Sequence, residues 1–329
     1  MKLFQYVRPL EPKAAVNAVA IEQGAKFLAG GTNLLDLMKR NVVAPDKLVD
    51  ITRLSLKNIT SDGTKTRIGA LVLNSTAAED KNILQNHPLL SMAINAGASA
   101  QIRNMATMGG NLLQRTRCPY FYDTAMRCNK REPGSGCDAL EGYNRMHAIF
   151  GASDKCIAVN PSDMNVALVA LDATIVVSSA KGERSIPIAL FHRLPGDAPE
   201  KDTTLEKGEL ITAITLPLSP FNKNCYYLKV RDRNSYAFAL VSVAAALDMN
   251  GTSIRSARLA MGGVAHKPWR STEAEEYLKG KTASEETFKA AAGIAINGAK
   301  AYEYNAFKLK MVPNTILQAL SVASGIKKA

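Results

Sequence analysis

Apolar positions in residues 14–23 recur at the period of an amphipathic helix, and residues 25–29 form a short apolar run that reads as a strand. A second helical pattern over residues 33–40 and a second strand over 48–51 complete an alternation that predicts a small parallel βαβ unit. The pattern then changes. From residue 58 to about 218, strand-like stretches at 66–70, 174–178 and 209–216 follow short connections, with helical spacing at 82–96 and 165–171, so an α+β unit is expected. Residues 195–200 and 217–224 read as linkers. Beyond them, residues 225–231, 238–249 and 254–262 run as three strands of an antiparallel meander before the period lengthens again. Thr272-Glu273-Ala274-Glu275 reads as a capping box that opens a helix, and Ser284 as the N-cap of another reaching about residue 300. Residues 305–322 have helical spacing, with Pro313 expected to kink or divide them. Three regions result, 1–55, 56–220 and 221–329, with no repeat of fixed period.

Composition is that of an ordinary globular protein: 329 residues, 47% hydrophobic, are enough for two or three cores. The longest apolar run, 237–247, is interrupted by Ser242 and falls short of the roughly 20 residues that cross a bilayer, so no membrane span is expected. The first thirty residues hold no charged segment followed by an apolar core, which predicts folding in the cytoplasm. Net charge is +12, and it raises the question of an anionic partner. The basic residues are scattered in short clusters such as Arg127, Lys130 and Arg131, without the sustained stripe and interleaved aromatics of a nucleic-acid groove. A cofactor pyrophosphate or an acidic partner surface suits this distribution better than nucleic acid.

Two glycine pairs lie where chemistry is expected. In Lys26-Phe27-Leu28-Ala29-Gly30-Gly31-Thr32-Asn33-Leu34 a strand gives way to a helix, and glycines there let backbone N–H groups approach an anion. The segment fits neither the dinucleotide-binding fingerprint nor the P-loop. Thr107-Met108-Gly109-Gly110-Asn111 repeats the pattern, so two turns are available to cradle one diphosphate from both sides. Four of the five cysteines follow, Cys118, Cys128, Cys137 and Cys156, among the turn-forming residues Pro119, Pro133, Gly134, Gly136 and Gly142. No pair has the Cys-x2-Cys spacing of most structural zinc sites; spacing and context put an iron-sulfur cluster first and leave zinc, disulfides or free thiols open. Cys225 reads as a half-buried strand thiol. His87, His147, His192 and His266 are too dispersed for a triad or metal site and are expected at the surface or as caps.

Residues 29–35 (Ala-Gly-Gly-Thr-Asn-Leu-Leu), Gln101-Ile102-Arg103-Asn104, Thr107-Met108-Gly109-Gly110-Asn111-Leu112 and Ser162-Asp163 resemble the FAD-binding medium subunits of the xanthine dehydrogenase family of molybdenum hydroxylases, over essentially the whole chain. The resemblance implies a two-lobed FAD domain of the vanillyl-alcohol-oxidase (PCMH) type. It also implies a C-terminal domain of three-stranded antiparallel sheet plus helices. Most members run almost directly from the second Gly-Gly-Asn to Ser-Asp. Here about forty residues with the four cysteines intervene, at about 114–157. Residues 112–123, Cys128-Asn129-Lys130-Arg131 and residues 133–137 resemble the FAD and 4Fe-4S subunits of bacterial periplasmic aldehyde oxidoreductases; an insertion at the same place is similar to that of 4-hydroxybenzoyl-CoA reductase.

By that resemblance the cofactors are FAD and one 4Fe-4S cluster ligated by Cys118, Cys128, Cys137 and Cys156. Residues 26–34 would wrap the FAD diphosphate, and Thr107, Gly110 and Asn111 would meet it from the other lobe. Gly97, Gln101 and Ile102 would line the cofactor, and Ser162, Asp163, Ile211 and Lys229 match further flavin contacts; on composition alone Lys229 reads as a surface lysine. The implied function is electron transfer in a molybdenum-dependent aldehyde oxidoreductase, from 2Fe-2S centres of a small partner through FAD to an external acceptor. No catalytic residue is expected in this chain, because the chemistry belongs to a large molybdenum-cofactor subunit. A 4-hydroxybenzoyl-CoA-reductase-like complex and a metal-clamped scaffold without active flavin are the alternatives. Export with a partner bearing a twin-arginine signal is the implied route to the periplasm.

Overall fold

The computed structural model describes residues 2–328. In the first unit, β1 (Gln5–Val7), α1 (Pro12–Ile21), β2 (Ala25–Leu28), α2 (Leu34–Lys39) and β3 (Lys47–Asp50) build a parallel sheet of order β1-β3-β2. Parallel neighbours need crossovers, and the two helices supply them. Pro12 opens α1 at a position where its missing N–H is not needed, and Ala15, Val16 and Val19 pack on Val49 and Ile51. β1 escaped the sequence reading because its short, largely exposed Gln-Tyr-Val carries no apolar pattern.

The second unit comprises β4 (Ile59–Ser61), β5 (Lys65–Gly69), α3 (Asn74–Glu79), α4 (Lys81–Asn86), α5 (Pro88–Ala96), α6 (Ala100–Arg103), α7 (Met108–Leu112), α8 (Pro119–Tyr122), α9 (Asp163–Ala170), β6 (Thr174–Ser179), β7 (Gly182–Pro187), α10 (Ile188–Phe191) and β8 (Leu210–Pro217). Its five strands form an antiparallel sheet of order β4-β5-β8-β6-β7. The single helix expected over 82–96 is two. Pro88 disfavours helical geometry in the residue before it, and His87 turns the chain between α4 and α5. Asp80 caps α4 by accepting from the N–H groups of Asn82 and Ile83. Every residue of α9 is buried, as a helix packed on several sides requires.

The third unit holds β9 (Asn224–Val230), β10 (Val241–Asn250), β11 (Ser253–Gly262) and β12 (Trp269–Arg270), then α11 (Thr272–Leu278), α12 (Glu285–Ala295) and α13 (Lys308–Ala323). The sheet has order β12-β11-β10-β9, so the expected three strands are four; a two-residue strand is too short to show periodicity. β10 is buried on both faces. Ala244 and Ala246 join the core of the second unit, while Val243, Ala245 and Leu247 join that of the C-terminal helices, so the two units share one strand between them.

The expected capping box does not form. Ser271 is the N-cap of α11 without a side-chain bond, and the Glu275 carboxylate accepts instead from the Leu259 N–H at 2.8 Å and pairs with Arg270. Pro313 neither divides nor ends α13, whose Val312, Ile316, Ala319 and Leu320 are buried; packing outweighs the lost hydrogen bond. Among the described residues no helix is long and apolar enough to cross a membrane.

Candidate cofactor cleft and cysteine loop

The two glycine turns meet. A Cβ on Gly30 would stand 1.8 Å from the Met105 carbonyl oxygen, so only glycine lets the first turn close on the chain that leads into the second. Gly31 has φ +72°, a conformation that favours glycine. On the other side, Met108 and Gly109 donate to the carbonyls of Val72 and Ala70, and a Cβ on Gly109 would come within 3.0 Å of Ala70. Thr107 caps α7, its hydroxyl accepting from the Gly110 N–H at 3.1 Å. Among the described residues, the N–H groups of Gly30 through Leu34 donate no hydrogen bond.

Along this meeting line runs a long cleft, in two stretches of about 560 and 810 Å³ that share Thr32, Asn33 and Gly110. The first stretch is lined by Lys26, Phe27, Ala29, Gly30, Gly31, Leu34, Thr107 and Ile211, the second by Gly97, Ile102, Asn111, Asp163 and Lys229. Asn33 joins the walls: its Oδ1 accepts from the Arg115 N–H at 2.8 Å, while its Nδ2 is buried with no partner among the described residues. Surrounding protein and the nearby Arg115 cation pull the Lys26 ammonium below its ordinary value. A cradle of free N–H donors, an orphaned amide and two nearby cations, Lys26 and Arg115, suit an anionic, hydrogen-bonding ligand.

In the second stretch Asp163 and Lys229 form a buried ion pair, Nζ to Oδ2 2.8 Å. Asp163 also accepts from the Tyr227 hydroxyl at 2.8 Å, and burial with that carboxylate pushes the phenol well above its usual pKa. Lys229 is therefore no surface lysine; it donates a second bond to the Ala96 carbonyl at 3.0 Å. Ser162 caps α9, its hydroxyl accepting from the Asn165 N–H and donating to Asn111 Oδ1 at 2.8 Å, which ties the second glycine turn to the Asp163 segment. Leu28 is half-buried behind the cleft in β2 and does not line it. Gln101 stands exposed on α6 and is not among the lining residues, because a four-residue helix turns it outward while Ile102 faces in.

The cysteine loop folds beside this cleft. Cys118 caps α8, Cys128 and Cys137 face each other across an isolated antiparallel bridge, and Cys156 lies buried nearby. Asn129 organises the loop. Its Oδ1 accepts from the Gly134 and Gly136 N–H groups and its Nδ2 donates to the Lys155 carbonyl. Gly134 and Gly136 have φ +89° and +106°, values only glycine adopts readily. Burial pushes the Cys118 thiol up to about 12 and Cys156 to about 11, and the sulfurs lie near enough to raise one another further. Cys137 is raised for the same reasons. All are free thiols, and among the described residues no three His, Cys, Asp or Glu side chains converge on a site for a single metal ion. Backbone N–H groups of Tyr120 and Phe121 point at Cys118, and those of Ala139, Leu140 and Ile157 at Cys137.

Several neighbours carried no sequence signal. Asp202 is held at about pKa 2 against its own desolvation by Lys130 and Arg115, and so links the cysteine loop to the cleft wall. The histidines, expected at the surface, are all buried: His87 bonds Thr66, His147 the Cys118 sulfur, His192 the Leu112 carbonyl and His266 the Arg193 carbonyl. Each partner is distant in sequence, so no local pattern marks them. Cys225 is buried in β9, and Phe121 packs on Leu37, Val42 and Cys128.

Residues 2–219 match the family described as the FAD binding domain in molybdopterin dehydrogenase, and residues 226–302 the CO dehydrogenase flavoprotein C-terminal domain. The chain is 48% identical, over 98% of its length and 99% of the relative's, to the aldehyde oxidoreductase FAD-binding subunit PaoB of Escherichia coli K12. The chain belongs to the FAD-binding medium subunits of the xanthine dehydrogenase family. This medium subunit is also 30% identical to the glyceraldehyde dehydrogenase medium chain of Sulfolobus acidocaldarius, across 87% of this chain and 84% of the other. Its fold is that of a chain in carbon monoxide dehydrogenase from Hydrogenophaga pseudoflava, with TM-score 0.78, 24% identity and 98% of each chain covered. A chain of quinoline 2-oxidoreductase from Pseudomonas putida 86 matches with TM-score 0.76 over 99% of each.

Proposed function

We propose that this chain is the FAD- and 4Fe-4S-carrying electron-transfer subunit of a molybdenum-dependent aldehyde oxidoreductase. It works beside a large molybdenum-cofactor subunit and a small subunit with two 2Fe-2S clusters, and delivers their electrons to an external acceptor. The observation that carries the reading is the meeting of the two glycine turns over the long cleft in a chain nearly half identical to an aldehyde oxidoreductase FAD-binding subunit. A bound flavin supplies the exchange between one-electron and two-electron chemistry that such a relay needs.

The chain's own residues bind, orient and shield. N–H groups from Gly30 to Leu34, with Thr107, Gly110 and Asn111 opposite, would hold the diphosphate, and Lys26 and Arg115 would oppose its charge. Ile211 walls the same stretch. Gly97 and Ile102 would flank the ring system, and Lys229, fixed by Asp163, would offer a cation to a bound flavin. Cys118, Cys128, Cys137 and Cys156 hold the cluster. Their sulfurs lie near enough to raise one another's pKa, and a cubane would ask each thiolate to take its own iron. The C-terminal unit is fixed to the flavin domain through β10. The chain folds in the cytoplasm and reaches the periplasm by export with a signal-bearing partner.

Co-expression with genes for the large and small subunits tests this reading. A complex that oxidises aldehydes with an artificial acceptor is expected, and Gly30→Ala, which drives a Cβ into the Met105 carbonyl, empties its flavin site. A stable complex that turns over aldehyde with no flavin in this chain would contradict it.

A further inference from the structure

His147 is buried, and its Nε2 lies 3.1 Å from Cys118 Sγ. Among the described residues no other side chain hydrogen-bonds a thiol of the cysteine loop; Cys137 and Cys156 receive backbone N–H groups. The ring's second nitrogen, Nδ1, is buried, and the Asn144 backbone carbonyl lies beside the ring. A cysteine sulfur bound to iron carries no proton and can only accept, so beside a loaded cluster the imidazole would present its Nε2–H to Cys118 Sγ.

The ring's place is set from the C-terminal unit. Lys308, fully buried at the start of α13, donates to the His147 carbonyl at 2.9 Å and to the Gly263 carbonyl at 2.6 Å. Asn305 donates to the carbonyls of His147 at 3.2 Å and Ala148 at 3.1 Å. Lys308 has no carboxylate partner among the described residues and directs its N–H donors to those two carbonyls. A cluster on four thiolates is anionic and grows more so on reduction, and donors to its sulfurs favour the reduced state, most strongly where water is excluded.

We propose that His147 raises the reduction potential of the cluster through an Nε2–H···Sγ hydrogen bond to Cys118, with Asn305 and Lys308 of the C-terminal unit holding it in place. The proposal rests on the cluster reading above. His147 is a positioning residue for the cluster's electronics, and the packing of the C-terminal unit is thereby coupled to the electron-transfer site.

The test uses the complete complex, with iron and acid-labile sulfide measured first and potentials followed by electron paramagnetic resonance. His147→Phe, which keeps the ring volume and removes the donor, is expected to retain iron and sulfide and shift the cluster midpoint to lower potential. The flavin midpoint stays in place, and His147→Gln restores most of the shift. A fully loaded His147→Phe complex with the unmodified cluster potential would overturn the proposal. Should His147→Phe fail to assemble, the unmodified complex decides: with isotopically labelled histidine, pulsed resonance of the reduced cluster is expected to reveal histidine nitrogen coupling, and no coupling overturns the proposal. An unmodified complex whose iron and labile sulfide do not exceed those of the small subunit's two 2Fe-2S clusters instead sinks the cluster reading, and this inference with it.

Discussion

Asp163 and Lys229 are the residues on which the second stretch of the cleft depends. Their 2.8 Å pair is buried with Tyr227 as a third member, so removal of either charge leaves the other stranded in a low-dielectric site. Asp163→Ala or Lys229→Met is expected to lower unfolding free energy by about 3–5 kcal/mol and to weaken flavin retention, read by urea titration and by flavin released on desalting. Tyr227→Phe, which removes one hydrogen bond and no charge, is expected to cost about 1 kcal/mol in the same titration. At this scale little was legible. Ser162-Asp163 after a proline reads as a helix cap, and Ser162 does cap α9; the partners of Asp163 lie on another strand, which no local pattern reports. The glycines were more legible, because a close backbone approach leaves a mark in residue type that a salt bridge does not.

Among the elements, strands were read well where burial alternates or runs continuously, as in β6 and β8, and missed where the strand is short or exposed, as in β1 and β12. Helix ends were governed by contacts the local motif does not name: Glu275 is drawn from its capping role to Leu259 and Arg270. The same non-local logic buries the histidines that join elements. His87, between α4 and α5, bonds Thr66 of β5, and burial drives it down to about pKa 4 from an ordinary 6.5. His192 and His266 are driven down to about 4 by burial as well. A base whose folded pKa lies below its unfolded one takes up its proton on unfolding, so the stability is intact above about 6.5 and is lost as pH falls toward 4. Urea midpoints of the subunit are therefore expected to fall between those pH values. His87→Gln is expected to make that decline shallower, and an unchanged slope would show that His87 takes no part in it.

Across the whole molecule, three sheets are assembled so that the first two units face each other over the cleft and the third is fused to the second through β10. The cysteine loop crosses these boundaries: Lys130 reaches Asp202 at the cleft wall, and Asn305 and Lys308 grip it from the C-terminal unit. Cys137→Ser is expected to lose iron and labile sulfide while flavin stays, because the glycine turns do not depend on the loop for their closure; atomic absorption and the visible spectrum check it. The three sheets follow the changes of period along the chain, and the four cysteines stand out in the sequence as a candidate site. What the sequence left open was how the cysteine loop folds, since that rests on turns set by Gly134, Gly136 and Asn129. The central claim is that one chain holds both groups, and the cofactor content of the purified complex tests it most directly. One FAD in this chain, with four irons and four labile sulfides beyond those of the small partner, is the predicted result. Absence of flavin, or zinc in place of iron and sulfide, would contradict it.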